Sequence, residues 1–275
     1  MNPIFIILIS AGAFFVLGLF VYLFAVKPRG KRKETKKFFG VKYAHRGLHM
    51  EGVEENSMTA FKNAVEKGYG IELDVRFSKD GELVVFHDAT LKRVCGVDKR
   101  VVDLTLSELK EINFGSTEET IPTFKEVLEL VDGTVPLLVE IKQDMGEGDV
   151  ATAACRMLKE YKGDYMIESF NPLAIMTVKK ELPHIVRGIL SDNYMRNKSM
   201  RKPLYILLKN LMFNFLCRPD FVAFNHCELE RSFTVRLVKK LYDPPLFAWT
   251  VRSEEEEKRC YDKGFDGVIF EDYLA

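Results

Sequence analysis

Hydrophobic and polar positions divide the chain into two parts of unlike pattern. From Pro3 to Val26 runs an uncharged stretch of 24 residues rich in Ile, Leu, Phe and Val. A helix of that length crosses the ~30 Å hydrocarbon core of a bilayer. From residue 41 onward, short apolar runs alternate with segments whose apolar positions recur at helical spacing. Strand-like runs fall at 41–44, 70–75, 83–86, 135–141, 165–170, 185–190, 221–225, 246–251 and 267–270. Helical patterns fall at 58–67, 104–112, 124–130, 150–161, 172–181, 232–241 and 254–263. This alternation predicts the α/β class, with a parallel sheet closed on itself. Ser57 or Asn56 is expected to cap the helix over 58–67, and Lys67-Gly68 to end it.

The first part reads as a membrane anchor rather than a cleaved signal. A signal peptide carries positive charge ahead of a shorter apolar core. Here Met1-Asn2 carries no charged side chain, and the basic residues come afterwards: Lys27, Arg29, Lys31, Arg32, Lys33, Lys36 and Lys37. That order predicts a single-pass protein of the cell membrane with the following residues on the cytoplasmic side. The expected organisation is an anchor at 1–26, a basic juxtamembrane linker at 27–40 and a catalytic domain at 41–275. Fully extended, the linker reaches at most ~50 Å, so the domain works close to the bilayer.

Composition narrows the classes. A chain of 275 residues holds one large domain, and 47% hydrophobic residues supply its core. Formal net charge is zero, which argues against nucleic acid as a partner. The five cysteines are scattered and form no C-x-x-C pair, so free thiols in a reducing compartment are expected.

The candidate chemistry lies in residues 41–142. In Gly70-Ile71-Glu72-Leu73-Asp74-Val75 the alternation puts Glu72 and Asp74 on one face of a strand. Two inward acids are costly to bury alone, and a hard divalent cation held by carboxylate oxygens offsets them; an edge strand facing solvent is the alternative. Glu140 ends a later apolar run and brings a third carboxylate, with Lys142 on the same face. His45 and His87 each close a strand-like run and are bordered by charge. In a βα barrel, reactive groups collect at the C-terminal ends of strands.

The series His45-Arg46-Gly47, Glu55-Asn56-Ser57, Glu72-x-Asp74, Lys79-Asp80-Gly81, His87-Asp88, Ile121-Pro122-Thr123 and Glu140-x-Lys142 resembles the glycerophosphodiester phosphodiesterase family. The resemblance continues in Ser169-Phe170, Trp249-Thr250-Val251 and Gly267-Val268-Ile269, and covers nearly all of 41–275. It departs at Glu54, where the family usually has proline, and at Phe270-Glu271-Asp272, where the final strand tends to end in Thr-Asp; neither departure is expected to touch a catalytic group. The resemblance implies a TIM-type (β/α)8 barrel that hydrolyses glycerophosphodiesters to glycerol 3-phosphate and an alcohol. It implies Ca2+ or Mg2+ on Glu72, Asp74 and Glu140. Arg46 and Lys142 then offset charge on the phosphate, and His45 and His87 exchange protons, in an order left open. The nucleophile is either water or the substrate's own hydroxyl, the latter giving a cyclic phosphate first. Nine strand-like runs exceed the eight of such a barrel. The turn at Lys79–Gly81 leaves no room for a crossover helix, so one run there, or one after Ile185, is expected outside it.

Phe170 and Trp249 end strands, where they either wall the site for the glycerol or alcohol or pack in the core. His49, His184 and His226 receive no role. Residues 201–218 are apolar with basic flanks and too short to span a bilayer. They read either as a helix packed on the barrel or as an interfacial helix beside the mouth that touches membrane lipid. Two other functions remain: a phospholipase of the lysophospholipase D or phosphatidylinositol-specific type, and a catalytically silent membrane scaffold. Seven charged or titratable groups that cost stability when buried argue against the scaffold.

Overall fold

The computed structural model describes residues 3–30, 33–115, 117–144 and 147–275. Met1, Asn2, Lys31 and Arg32, which entered the anchor reading, lie outside them. One sheet contains β1 (Lys42–Ala44), β2 (Gly70–Phe77), β3 (Leu83–Val85), β4 (Leu137–Ile141), β5 (Tyr165–Ser169), β6 (Val186–Ser191), β7 (Phe221–Asn225), β8 (Leu246–Val251) and β9 (Gly267–Phe270). The helices used below are α1 (Pro3–Val26), α2 (Met58–Lys67), α3 (Phe124–Val131), α4 (Val150–Glu160), α5 (Pro172–Glu181), α6 (Pro203–Lys209), α7 (Asn214–Cys217), α8 (Phe233–Tyr242) and α9 (Glu254–Asp262).

β1 pairs in parallel with both β2 and β9, which closes the sheet. β3 is antiparallel to β2 and stands outside the ring, leaving eight parallel strands in a TIM-type barrel. The reason is local. A parallel return needs a crossover of about a dozen residues, and the Ser78–Gly81 turn supplies only a hairpin, with Gly81 at φ 81°. Residues 89–115 and 117–123 pack over that hairpin as a small satellite core around Phe86, Leu91, Leu104, Leu109 and Phe114.

Period two decides what the barrel encloses. On β2, Ile71, Leu73 and Val75 join the layer between strands and helices. The residues between them, Glu72 and Asp74, are buried on the other face. Lower in the barrel the interior is filled by Tyr43, Leu138, Met166, Phe221 and Phe247. Gly188 makes room for one of these rings, since a Cβ there would meet Phe221 at 2.2 Å. Ser57, rather than Asn56, caps α2 by accepting from Ala60 N at 3.1 Å, worth about 1 kcal/mol. Gly68 ends that helix at φ 72°.

α1 is long and apolar enough to cross a membrane, and its window Ile7–Val26 has a mean hydropathy of 2.5. Its C-terminal end is fastened to the barrel, where Tyr22 Oη and Thr234 Oγ1 lie 2.8 Å apart. Asn214 Nδ2 donates to Val26 O at 2.9 Å, Tyr242 Oη to Leu23 O at 3.0 Å, and Arg218 to Lys27 O at 2.8 Å. Helix-end carbonyls that lack intrahelical donors are thus satisfied by the domain. Lys33–Phe38 forms a 3-10 helix, and Phe38, 1% exposed, packs beneath Tyr43 and Phe221 at the N-terminal end of the strands. Burying that ring outweighs the freedom of the chain, at about 1.5–3 kcal/mol.

Candidate active site

The strand ends place the site. Asp74 on β2 is the register partner of Glu140 on β4, and Glu140 is the partner of Glu168 on β5. Glu72 lies two residues earlier on the same face as Asp74. Four carboxylates therefore line one stretch of the barrel interior, all 6% exposed or less. One oxygen each from Glu72, Asp74 and Glu140 lie within 4.8 Å of one another.

Two fixed cations answer these four acids. Lys142 Nζ lies 3.1 Å from Asp74 Oδ1 and 2.7 Å from Glu140 Oε1. Arg46 Nε lies 3.6 Å from Asp74 Oδ2, and the Arg46 backbone N–H donates to Glu72 Oε2 at 2.9 Å. That backbone contact needs the left-handed conformation of Arg46, φ 57°, and Gly47 follows at φ 81° with no room for a Cβ against Ala60. Asn56 Nδ2 donates to Asp74 Oδ2 at 2.9 Å. Burial raises Asp74, but Lys142, His87 and Arg46 outweigh it and hold its carboxyl far below the usual range. Burial and the Asp74 charge push Glu72 well up, and burial carries Glu140 to about 7. Glu168, with Oε2 unpaired, is raised well above the usual value by burial and by Glu140.

Excess buried acid of this kind fits a hard cation. The donor set is all carboxylate oxygen, and four carboxyl groups face two cations, Arg46 and Lys142.

Two imidazoles flank the acids. His45 Nδ1 is 2.5 Å from Glu271 Oε2, and His87 Nδ1 is 2.6 Å from Asp88 Oδ1. The partner carboxylates are held in turn, Glu271 by Arg252 and Asp88 by Arg93 at 2.7 Å. Arg93 also bonds Glu55, which bonds Arg46 at 2.8 Å. Burial raises both carboxyls, but their hydrogen bonds to His45 and to Arg93 outweigh it and leave each at about 2, hence ionised. A carboxylate at Nδ1 fixes the proton there and turns Nε2 into the reactive nitrogen. Among the described residues no hydrogen bond engages Nε2 of either histidine. Burial lowers both histidines, so each ring is neutral near pH 7.

All nine residues expected from sequence meet here. His45, Arg46, Glu72, His87, Glu140, Phe170 and Trp249 line one cleft of about 390 Å³, and Asp74 and Lys142 lie against its floor. Phe170 and Trp249 meet edge to face at 5.7 Å and form an apolar wall. Two residues were not foreseen. Glu168 reads in sequence as part of an apolar strand, though a lone acid inside such a run is the same signal that marked Glu140. Glu271 corrects an expectation, because the departure at Phe270-Glu271-Asp272 does touch a candidate catalytic group: its carboxylate holds His45.

Residues 45–274 match the model of the glycerophosphoryl diester phosphodiesterase family. The chain belongs to this family. A glycerophosphodiester phosphodiesterase of Caldanaerobacter subterraneus subsp. tengcongensis is 36% identical over 242 residues, covering 83% of this chain and 93% of that one. A lysophospholipase D of Rattus norvegicus is 26% identical over 271 residues, covering 86% and 85%. An Oleispira antarctica phosphodiesterase, solved in complex with the product sn-glycerol-3-phosphate, aligns with TM-score 0.68 at 26% identity, covering 86% of this chain and 94% of that one. Within the phosphodiesterase family framework, the motif residues from His45 to Lys142 form the cleft described above.

Proposed function

We propose that this family member hydrolyses glycerophosphodiesters to glycerol 3-phosphate and an alcohol, with His45 and His87 as the proton-transfer pair. The observation that carries the reading is the matched geometry of the two rings. Each has Nδ1 on an ionised carboxylate and leaves Nε2 for the cleft. One neutral Nε2 takes a proton from the attacking hydroxyl, and the other ring, which has taken up a proton from solvent at its own Nε2 beforehand, gives that proton to the leaving alkoxide. Arg46 and Lys142 supply positive charge to the non-bridging phosphate oxygens. Glu72, Asp74 and Glu140 would hold a divalent cation, calcium or magnesium, which supplies Lewis-acid charge to the phosphate when bound. Phe170 and Trp249 bound the alcohol or glycerol side.

The apolar wall supports a second reading, a lysophospholipase D acting on an acyl-bearing diester, with the Rattus norvegicus relative as a precedent. A silent scaffold is disfavoured by the buried acids Glu72 and Glu168, which no lysine or arginine pairs among the described residues. The domains proposed are an anchor at 1–26, a linker at 27–40 whose Lys33–Phe38 packs on the barrel, and the catalytic domain at 41–275. Because α1 ends on carbonyls held by the domain, it is retained as an anchor, with the barrel on the cytoplasmic side.

The test is release of sn-glycerol 3-phosphate from glycerophosphocholine and glycerophosphoethanolamine, with and without chelator. His45→Ala and His87→Ala each lower kcat by about 10²–10⁴-fold, and chelator abolishes turnover until calcium or magnesium is restored. Turnover unchanged in both variants would overturn the assignment.

A further inference from the structure

α6 is strongly apolar, yet it has no buried residue. Leu204 is 54%, Ile206 49% and Leu207 41% exposed. A helix that packs on a core hides its apolar stripe. Large aliphatics exposed together mark a surface that meets another apolar phase.

Three features say which phase. First, the surface is continuous with α1. The Phe215 ring lies 6.4 Å from Phe24, Asn214 holds Val26 O, and the Arg218 guanidinium stacks 4.6 Å over Phe24. Second, residues 193–219 carry six basic side chains and no acid, whereas the whole chain is neutral. Lys198, Arg201 and Lys202 are exposed at the start of α6. Third, the patch leads to the mouth. Tyr205 on α6 lies 5.5 Å from Tyr194, and Tyr194 lies 6.3 Å from Phe170 in the cleft wall.

We propose that α6, together with Phe215 and Phe24, lies in the headgroup layer of the bilayer that α1 crosses. Its basic flank meets anionic lipid, and the Phe170–Trp249 side of the cleft is held at the membrane surface. This rests on the reading of α1 as a membrane span. Aliphatic burial and lysine and arginine charge then act together, as they do in interfacial helices. A phosphodiester whose alcohol or glycerol carries an acyl chain reaches the site along the surface, past Tyr205 and Tyr194, without leaving the lipid.

The full chain, reconstituted in phosphatidylcholine–phosphatidylserine vesicles, tests this. Leu207→Cys, in a Cys227→Ser background that removes the exposed native thiol, carries an environment-sensitive fluorophore. Lys125→Cys on α3, elsewhere round the barrel, is the control. The label at 207 is expected to emit at shorter wavelength and to be quenched by lipid spin-labelled near the headgroup, while that at 125 is quenched by aqueous iodide. Equal iodide quenching at both sites, with none from lipid, would overturn the proposal. A second variant pairs Leu204→Glu with Leu207→Glu, both exposed, so folding is kept. It should lower hydrolysis of vesicle-borne lysophosphatidylcholine about tenfold relative to soluble glycerophosphocholine; an unchanged ratio counts against the surface route. Alkaline extraction of the vesicles reports α1 separately. Were neither substrate cleaved by the unaltered chain while lipid quenching at 207 persisted, the hydrolase reading would fail and the membrane contact would stand.

Discussion

Glu271 Oε2 lies 2.5 Å from Nδ1 of His45, although the two are 226 positions apart in the chain. The contact ties the end of β9 to the end of β1, neighbouring strands of the barrel. It also sets which ring nitrogen faces the cleft.

Replacing Glu271 by Gln keeps the shape and lets the ring choose its tautomer. Turnover of glycerophosphocholine is expected to fall about 10–100-fold, the usual cost of losing a group that orients a histidine. KM should change little, because Glu271 does not line the cleft. Steady-state kinetics with a melting curve separates this from misfolding; a fall in KM-normalised activity matched by loss of folded protein would refute it.

The same pair gives stability a pH signature. Burial opposes the charge on Glu271, but the His45 hydrogen bond and Arg252 hold its carboxyl at about 2. A depressed acid stabilises the fold above its unfolded value of about 4.3 and loses that contribution as pH falls toward the folded one. The Tm gap between the unaltered chain and Glu271→Gln should therefore be full at pH 6 and close between about pH 4 and pH 2. A gap that does not vary over that window would contradict the pairing.

Much of the site is legible in sequence because strands have period two. Glu72 and Asp74 announce themselves as acids alternating with Ile71, Leu73 and Val75, and Glu140 with Lys142 repeats the signal. Glu168 carries the same mark but stands alone in its strand, so nothing local distinguishes it; only register with Glu140 brings it to the cluster. Glu271 is hidden for another reason, since its partner lies at the far end of the chain. The Lys-rich 33–38 segment reads as a basic linker, and Phe38 and Thr35, the residues it buries, carry no periodicity. The place of β3 was bounded by turn length, but which run leaves the ring is decided by pairing across the sheet.

Metal binding should be readable without activity. Burial and the neighbouring acids hold Glu140 up at about 7, a strain that a cation relieves. Calcium or magnesium is expected to raise the Tm of the unaltered chain, and chelator to reverse it. Glu140→Gln removes one ligand and one like charge. Its metal-free Tm should be no lower than that of the unaltered chain, while the metal-dependent rise is lost. Differential scanning fluorimetry with titrated cation measures both, and a rise preserved in the variant would exclude Glu140 as a ligand.

The junction with α1 is held by few groups. Asn214, 1% exposed, spends its side-chain donor on Val26 O. Asn214→Ala leaves that carbonyl without a partner at a buried site, a loss of about 1–3 kcal/mol. Limited proteolysis in detergent should cut between α1 and the barrel faster in the variant, with fragments mapped by mass. Equal cutting rates would mean that the helix end is held by other contacts.

Phe38 belongs by sequence to the membrane-proximal segment, but by position it stoppers the lower opening of the barrel. A shortened form starting at Val41 would thus uncork the barrel as well as remove α1, letting water in beneath Tyr43 and Phe221. One starting at Lys33 keeps the stopper. The two should differ in dye binding and in melting temperature, a difference that belongs to residues 33–40 and not to α1, which both forms lack.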